Sequence, residues 1–107
     1  MGAYNRLICL RLEACPKCGH SGDIAVQFKW GQRYLHEYSL GDTVRWSLGT
    51  LDEPVKGPMD TGDPLEERAL LVGYEEACPE CGHDSDHEYE VMIVGNRIAS
   101  YRFAAWA

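Results

Sequence analysis

One eight-residue stretch occurs twice in this chain and limits what the rest of it can fold into. Residues 13–20 read EACPKCGH and residues 76–83 read EACPECGH, so the two copies differ at a single position. Each copy has two cysteines separated by two residues. Together they supply four thiolates, which is a complete tetrahedral shell for a zinc ion. The sequence therefore predicts one structural Zn(II) per chain, with the ligands Cys15, Cys18, Cys78 and Cys81.

The residues between and after the cysteines suit a tight metal-binding turn. Proline after the first cysteine pre-sets a turn dihedral, and glycine after the second can take the positive φ that closes a loop around an ion. A single Cys-x-x-Cys pair could equally belong to a redox protein of thioredoxin type. Two nearly identical copies favour a shared metal ion.

The paired Cys-Pro-x-Cys-Gly turns resemble the knuckles of the zinc-ribbon superfamily. That resemblance implies a mainly β fold in which two knuckles on β-hairpins share one structural zinc. It does not imply a function, because zinc ribbons occur in transcription factors, polymerase subunits, ribosomal proteins, enzyme appendages and inhibitors. This chain departs from the simplest ribbons by placing about sixty residues between its knuckles.

The alternation of apolar residues predicts the same plan of strand, knuckle and hairpin in both halves. In the first half we expect a strand over 6–12, a strand through 26–30, a turn at 31–33 and a returning strand over 34–40. In the second half the matching segments are 68–74, 89–94, 95–97 and 98–103.

These repeats define a small, mainly β domain with little helix that spans residues 1–107. Repeat one covers about 5–40, an inserted strand and loop cover about 41–64, and repeat two covers about 65–104. Asp63 could cap a single helical turn at 64–67. Facing each other about a pseudo-twofold axis, the repeats would hold the zinc between them.

The chain carries no pattern of a membrane or exported protein. It contains no run of eighteen apolar residues and no signal-peptide pattern at its first residue. Four cysteines assigned to metal suit a reducing compartment, so we expect a cytoplasmic protein. Cys9 alternates with Ile8 and Leu10 and is interpreted as a small strand residue without chemistry, since no histidine or base is adjacent to activate it.

The net charge of the chain favours some classes of partner over others. The formal net charge is -7, and four thiolates around a divalent ion bring it to about -9. Such a field repels phosphate backbones and disfavours nucleic acid. Residues 75–90 include seven acids and no Lys or Arg, which describes either a solvated face or a docking surface for a basic protein. The predicted partner-binding residues are Trp46, Glu75, Glu76, Glu80, Asp84, Asp86, Glu88 and Trp106.

No pattern of catalysis accompanies the cysteines. There is no nucleophile elbow, phosphate loop or His-Glu-x-x-His motif, and four cysteines leave a zinc ion no open position. His20 and His83 are expected to support the knuckles or lie at the surface. A second metal at residues 83–87, with His83 and His87, is disfavoured. Asp23 and Asp86, at matching positions, are expected to accept backbone N–H bonds beyond each knuckle.

Three functional classes remain open. The first is a non-catalytic zinc-binding module that recognises a basic protein, such as a bacterial immunity protein or antitoxin. The second is a transcription- or RNA-associated zinc ribbon, which the superfamily favours and the charge opposes. The third is a thiol redox device that uses the knuckles as dithiols.

Overall fold

The computed structural model describes residues 4–85 and 87–104, and the chain over these residues is mainly β, as the sequence predicts. No helix occurs among them. The strands are β1 (Asn5–Leu10), β2 (Asp23–Phe28), β3 (Glu37–Tyr38), β4 (Leu48–Gly49), β5 (Pro54–Val55), β6 (Arg68–Glu75), β7 (Glu88–Val94) and β8 (Arg97–Phe103). The described part of the chain contains no helix long and apolar enough to cross a membrane.

One six-stranded sheet carries both knuckles, in the order β3-β1-β2-β6-β7-β8. Each knuckle connects an antiparallel pair, since Leu10 is opposite Asp23 in β1 and β2, and Tyr74 is opposite Glu88 in β6 and β7. The two halves join where β2 pairs with β6 at Val26 and Glu75. Both knuckles therefore emerge at the same end of the sheet.

Alternation along the strands places one face of the sheet in the core. The predicted first strand ends at Leu10, two residues earlier than expected, and Ile8 and Leu10 lie on its more exposed face. Leu7 and Cys9 point the other way and are buried. The largest fully buried side chains are Tyr89, Phe28, Leu7, Ile93 and Ile98, with Val26, Val44, Val91 and Asn5.

The sheet curls so far that its two edges, at β3 and β8, come together. The segment that follows β3 bonds to β8, with Gly41 N donating to Ile98 O at 2.7 Å and Ile98 N to Asp42 O at 3.0 Å. On the same strand, the Tyr101 hydroxyl donates to the carbonyl of Leu10 at the end of β1. These bonds satisfy edge groups that an open sheet would leave exposed.

The predicted hairpin at the end of the first repeat is wrong, and Asn5 accounts for the difference. The returning strand is only β3, and it pairs in parallel with β1 instead of lying beside β2. The Asn5 amide donates to Trp30 O and Gln32 O, both at 2.9 Å, and its oxygen accepts from Tyr34 N and His36 N, both at 3.2 Å. These four bonds hold the backbone of residues 30–36 across the end of β1, so that β3 lies on the side of β1 opposite to β2. In the second repeat β8 returns beside β7, as predicted.

The inserted segment is a short hairpin secured by one carboxylate. β4 and β5 pair with each other, and Asp60 accepts from Ser47 N at 2.9 Å, from Gly57 N at 2.8 Å and from the Ser47 hydroxyl. Burial alone would raise the pKa of Asp60, but these donors outweigh it and lower the pKa. Asp63 caps a turn by accepting from Leu65 N at 2.8 Å, and no helical turn follows.

Candidate metal centre

The two knuckles have the same backbone structure. In the first, Cys15 N donates to His20 O at 2.9 Å and Gly19 N to Cys15 O at 2.8 Å. The equivalent bonds in the second, from Cys78 N to His83 O and from Gly82 N to Cys78 O, have the same two lengths. Gly19 and Gly82 have φ values of 78° and 74°, a conformation that glycine adopts without steric cost. The sequence repeat is thus also a structural repeat.

The curled sheet brings the four cysteines into one cluster. Their sulfur atoms all lie within 4.8 Å of one another. Cys15 Sγ is 3.6 Å from Cys81 Sγ, and Cys18 Sγ is 3.7 Å from Cys78 Sγ. These two pairs exchange when one knuckle is replaced by the other, as a twofold arrangement requires. All five cysteines are free, and Cys15 and Cys78 are the buried members of the cluster.

The spacing fits a metal ion. Bonds of about 2.3 Å in a tetrahedral four-sulfur site put neighbouring sulfurs about 3.8 Å apart, whereas a disulfide brings them to about 2.05 Å. The observed separations match the first arrangement and exclude the second. Among residues 4–85 and 87–104, this is the one group of three or more Cys, His, Asp and Glu side chains close enough to share an ion.

The pKa values of two clustered thiols, Cys78 and Cys18, are shifted in opposite directions. Burial alone would raise the pKa of Cys78, but the backbone N–H groups of Cys81 and Glu80 bring it down to about 6. The N–H of His20 acts to lower the pKa of Cys18, yet burial and the neighbouring sulfurs raise it to about 12. Four thiolates within 4.8 Å of one another repel, so a cation between them stabilises the charged forms, and binding of the cation releases protons.

A buried ion pair lies directly beneath the cluster. Arg11 and Glu75 each have a side chain that is 2% exposed, and Arg11 Nη2 lies 3.4 Å from Glu75 Oε2. The Arg11 Nη1 group also contacts Cys78 Sγ at 3.7 Å. Glu75 accepts from the Tyr89 hydroxyl at 2.7 Å and from the Ser85 hydroxyl. Burial, followed by this bond to Glu75, raises the pKa of Tyr89.

Two of the predicted partner-binding residues are not at the surface. Glu75 is buried in the ion pair with Arg11, so its assignment to a docking face is wrong. Trp46 is 9% exposed, packs edge-on against Trp30 with ring centroids 6.1 Å apart, and donates from Nε1 to Asn96 Oδ1 at 2.7 Å. It therefore belongs to the core, and its prediction as a partner-binding residue is also wrong.

Four of the other predicted partner residues lie around the second knuckle. Glu80 and Asp84 are exposed, and Glu76 and Glu88 are half-buried. Glu76 is bound by Arg6, whose Nε and Nη2 donate to its two oxygens at 2.7 and 2.9 Å. Asp86 and Trp106 lie outside the described residues.

The histidines near the knuckles have separate environments. His20 Nδ1 lies 3.2 Å from Arg11 Nη1. His87 packs its ring edge-on against Phe103 at 5.0 Å, with Nδ1 3.6 Å from Glu75 Oε1. His83 is half-buried, and its carbonyl closes the second knuckle. Asp23 is exposed at the start of β2.

Cys9 lies in the core, away from the cluster of four. Its side chain is 6% exposed among Leu7, Val26, Tyr89 and other core residues. Burial raises its pKa to about 11, so the thiol stays protonated at neutral pH.

Two adjoining depressions mark the surface on the outer side of β6. A groove of about 730 Å³ is lined mainly by apolar and aromatic residues, with Gln27, Lys29 and Thr61 also in its wall. Leu70, Val72 and Tyr74 of β6 belong to this lining and are 50%, 41% and 55% exposed. Next to it, a pocket of about 520 Å³ is lined by Glu76, Asp84, His87 and Glu88 with others. Gln27 and Tyr74 line both, so the two depressions are continuous.

Arg11 lies at the metal centre but is neither one of the predicted metal ligands nor one of the predicted partner-binding residues. A pattern that points to it is present in the sequence. The inward positions of β1 are Asn5, Leu7 and Cys9, and Arg11 continues this alternation past the end of the strand. A cation at an inward position, four residues before a metal ligand, indicates a buried charge near the ion.

Comparisons with protein-family models, with curated proteins and with solved structures return no match. The assignment of the four-cysteine cluster as a metal site therefore depends on the distances between its sulfur atoms.

Proposed function

We propose that this chain is a zinc-binding module of zinc-ribbon type that acts without catalysis, by binding another protein with a basic surface. The ion is zinc in this proposal because four thiolates at tetrahedral spacing suit that metal. Four cysteine ligands leave zinc no position for water or substrate, so its role is structural. The form of partner binding that we favour is inhibition, as by a bacterial immunity protein or antitoxin.

The observation that carries the interaction is the continuous surface along β6. Exposed apolar residues at alternate positions, Leu70, Val72 and Tyr74, lie directly beside acidic residues of the second knuckle. Apolar anchors flanked by charge are typical of protein interfaces, in which the rim charges speed encounter and select the partner. The formal charge of -7 favours a basic partner and disfavours nucleic acid.

A matched pair of charge variants tests this proposal. Glu80→Gln/Asp84→Asn removes one exposed acid within the second knuckle and one directly after it, of which Asp84 lines the acidic pocket. Asp52→Asn/Glu53→Gln removes two exposed acids in the β4–β5 hairpin. The net charge changes equally in both. With tagged zinc-loaded protein as bait, we expect the bound basic protein to associate several-fold more slowly with the first variant at low salt. The second variant should behave like the original chain.

The apolar part of the surface has its own test. Val72→Ser/Tyr74→Ser should speed dissociation of the same partner, because apolar anchors at an interface act mainly on the off-rate. Equal binding by all variants, or retention of nucleic acid in place of a basic protein, would contradict the proposal. Turnover of a disulfide substrate with reversible loss of metal would support the redox class instead.

A further inference from the structure

Arg11 crosses from one repeat to the metal ligands of the other. It follows β1 in the first repeat, and its Nη1 group reaches Cys78 Sγ in the second at 3.7 Å. The position equivalent to Arg11 in the second repeat is Tyr74, which is exposed on the outer face of β6. The two knuckles are equivalent, but the second repeat has no cation at the position of Arg11.

The guanidinium is held by several independent contacts. Nε donates to Glu13 O at 2.7 Å, Nη1 lies 3.2 Å from His20 Nδ1, and Nη2 lies 3.4 Å from Glu75 Oε2. Glu75 is fixed in turn by the hydroxyls of Ser85 and Tyr89. A buried arginine at 2% exposure is stable only when its donors are satisfied, and these contacts fix where Nη1 points.

The charge of the loaded centre explains why a cation is useful there. Four thiolates and one divalent ion leave a net charge of -2 at the end of the sheet, close to buried residues. An N–H group directed at a metal-bound thiolate withdraws electron density from the sulfur and makes it a poorer base. A hydrogen bond to a ligand from outside the metal shell holds that ligand in its binding orientation, and loss of such a bond weakens metal binding.

We propose that Arg11 is a positioning residue of the metal centre, which donates to the Cys78 thiolate, offsets the charge of the loaded site and slows release of the ion. Glu75 holds Arg11 in the required orientation. This inference does not depend on the interaction proposed for the surface of β6, since it concerns only residues beneath the ion.

Cobalt(II) in place of zinc gives a direct readout at the sulfur atoms. We expect Arg11→Met, which keeps much of the side-chain volume and removes the charge, to move the thiolate-to-cobalt charge-transfer band to lower energy. Transfer of zinc from this variant to a chromogenic chelator should be several-fold faster than from the original chain. Arg11→Lys should lie between the two, because it keeps the charge but not the planar set of donors.

Arg6→Met is the matched control. Arg6 also pairs with glutamates, Glu37 at 2.5 Å and Glu76 at 2.7 Å, but it makes these contacts on the outer side of β1. Its loss should leave both the band position and the rate of zinc transfer unchanged.

Loss of Arg11 alone leaves Glu75 buried without its cation, which destabilises the fold. Arg11→Met/Glu75→Leu removes both charges and avoids that penalty. The band of this double variant should still move to lower energy. A folded variant, single or double, with the original band position and the original transfer rate would overturn the proposal and reduce Arg11 to a counter-ion of Glu75.

Discussion

At the scale of single residues, some positions are fixed by how closely two parts of the chain approach. Gly62 has a φ of 87°, and a Cβ atom at this position would lie 2.3 Å from the Trp30 ring. That ring in turn packs against Trp46, so it cannot move without disturbing the core. Glycine at 62 is what allows the inserted segment to cover Trp30.

Gly62→Ala should destabilise the zinc-loaded protein by about 2 to 4 kcal/mol, because it adds a clash with an indole to the strain of a left-handed backbone. Gly41→Ala is the control. Gly41 has a φ of 90° but nothing within 4 Å of the added atom, so it should cost about 1 to 2 kcal/mol. Denaturant unfolding with zinc in excess measures both. Equal losses would contradict the close contact with Trp30.

The residues that the sequence predicts well are those whose role depends on their near neighbours. Each knuckle can be predicted because it is a local turn with its own hydrogen bonds, and the repeat of the turn indicates that the two pairs of cysteines come together, as they do. The burial of Glu75 and Trp46 does not follow from the local sequence, since it depends on Arg11 and Asn96, which are 64 and 50 residues away in the chain. An acid within an acidic run resembles a surface residue until its distant partner is known.

At the scale of strands, a single side chain decides the path of the first repeat. Asn5 is fully buried and bonds four backbone groups between Trp30 and His36. The alternation of apolar residues predicts the bounds of β6, β7 and β8 to within one residue. It also predicts β1 and β2, but β1 ends two residues earlier than expected and β2 begins three residues earlier. It could not predict the parallel pairing of β3, because an amide that substitutes for a strand partner leaves no trace in the periodicity.

Asn5→Ala should leave buried backbone groups without partners and cost about 3 kcal/mol or more. Asn5→Asp keeps acceptors for Tyr34 N and His36 N but loses the donor to Trp30 O and Gln32 O, so it should also destabilise. Amide exchange should show the loss concentrated in residues 30–38. An even loss across all strands, or none, would contradict this account.

The inserted segment depends on Asp60 in the same way. Asp60→Ala removes a carboxylate that accepts three hydrogen bonds from Ser47 and Gly57, and it should destabilise by about 1 to 3 kcal/mol. Asp52→Ala, at an exposed position of the neighbouring turn, should change stability by less than about 0.5 kcal/mol. Similar values for the two in denaturant unfolding would show that Asp60 does not secure the insert.

At the scale of the whole molecule, the cluster ties together parts of the chain that are far apart in sequence. Its two halves are separated by the complete inserted segment, and β2 and β6 share only two register pairs. Structural zinc in small peptides contributes on the order of 10 kcal/mol, which is comparable to the net stability of an ordinary domain. The ion is therefore expected to be essential for folding.

Cys15→Ser and Cys81→Ser should each give an unfolded or protease-sensitive chain, because three thiolates hold zinc far less tightly than four. Cys9→Ser is the control for cysteine loss in general. It should retain the metal while losing some stability through its buried site. Limited proteolysis and zinc content distinguish the two effects. A compact, protease-resistant Cys15→Ser chain would contradict a metal-dependent fold.

The most direct measurement of the central claim is the metal content of protein purified under reducing conditions, by elemental analysis. The account predicts one zinc per chain, and the same value for His87→Ala, because His87 is outside the cluster. Two zinc ions per chain would show a second site that we have not assigned. Absence of metal, or sulfur atoms bonded to one another, would contradict the claim that four cysteines hold one ion.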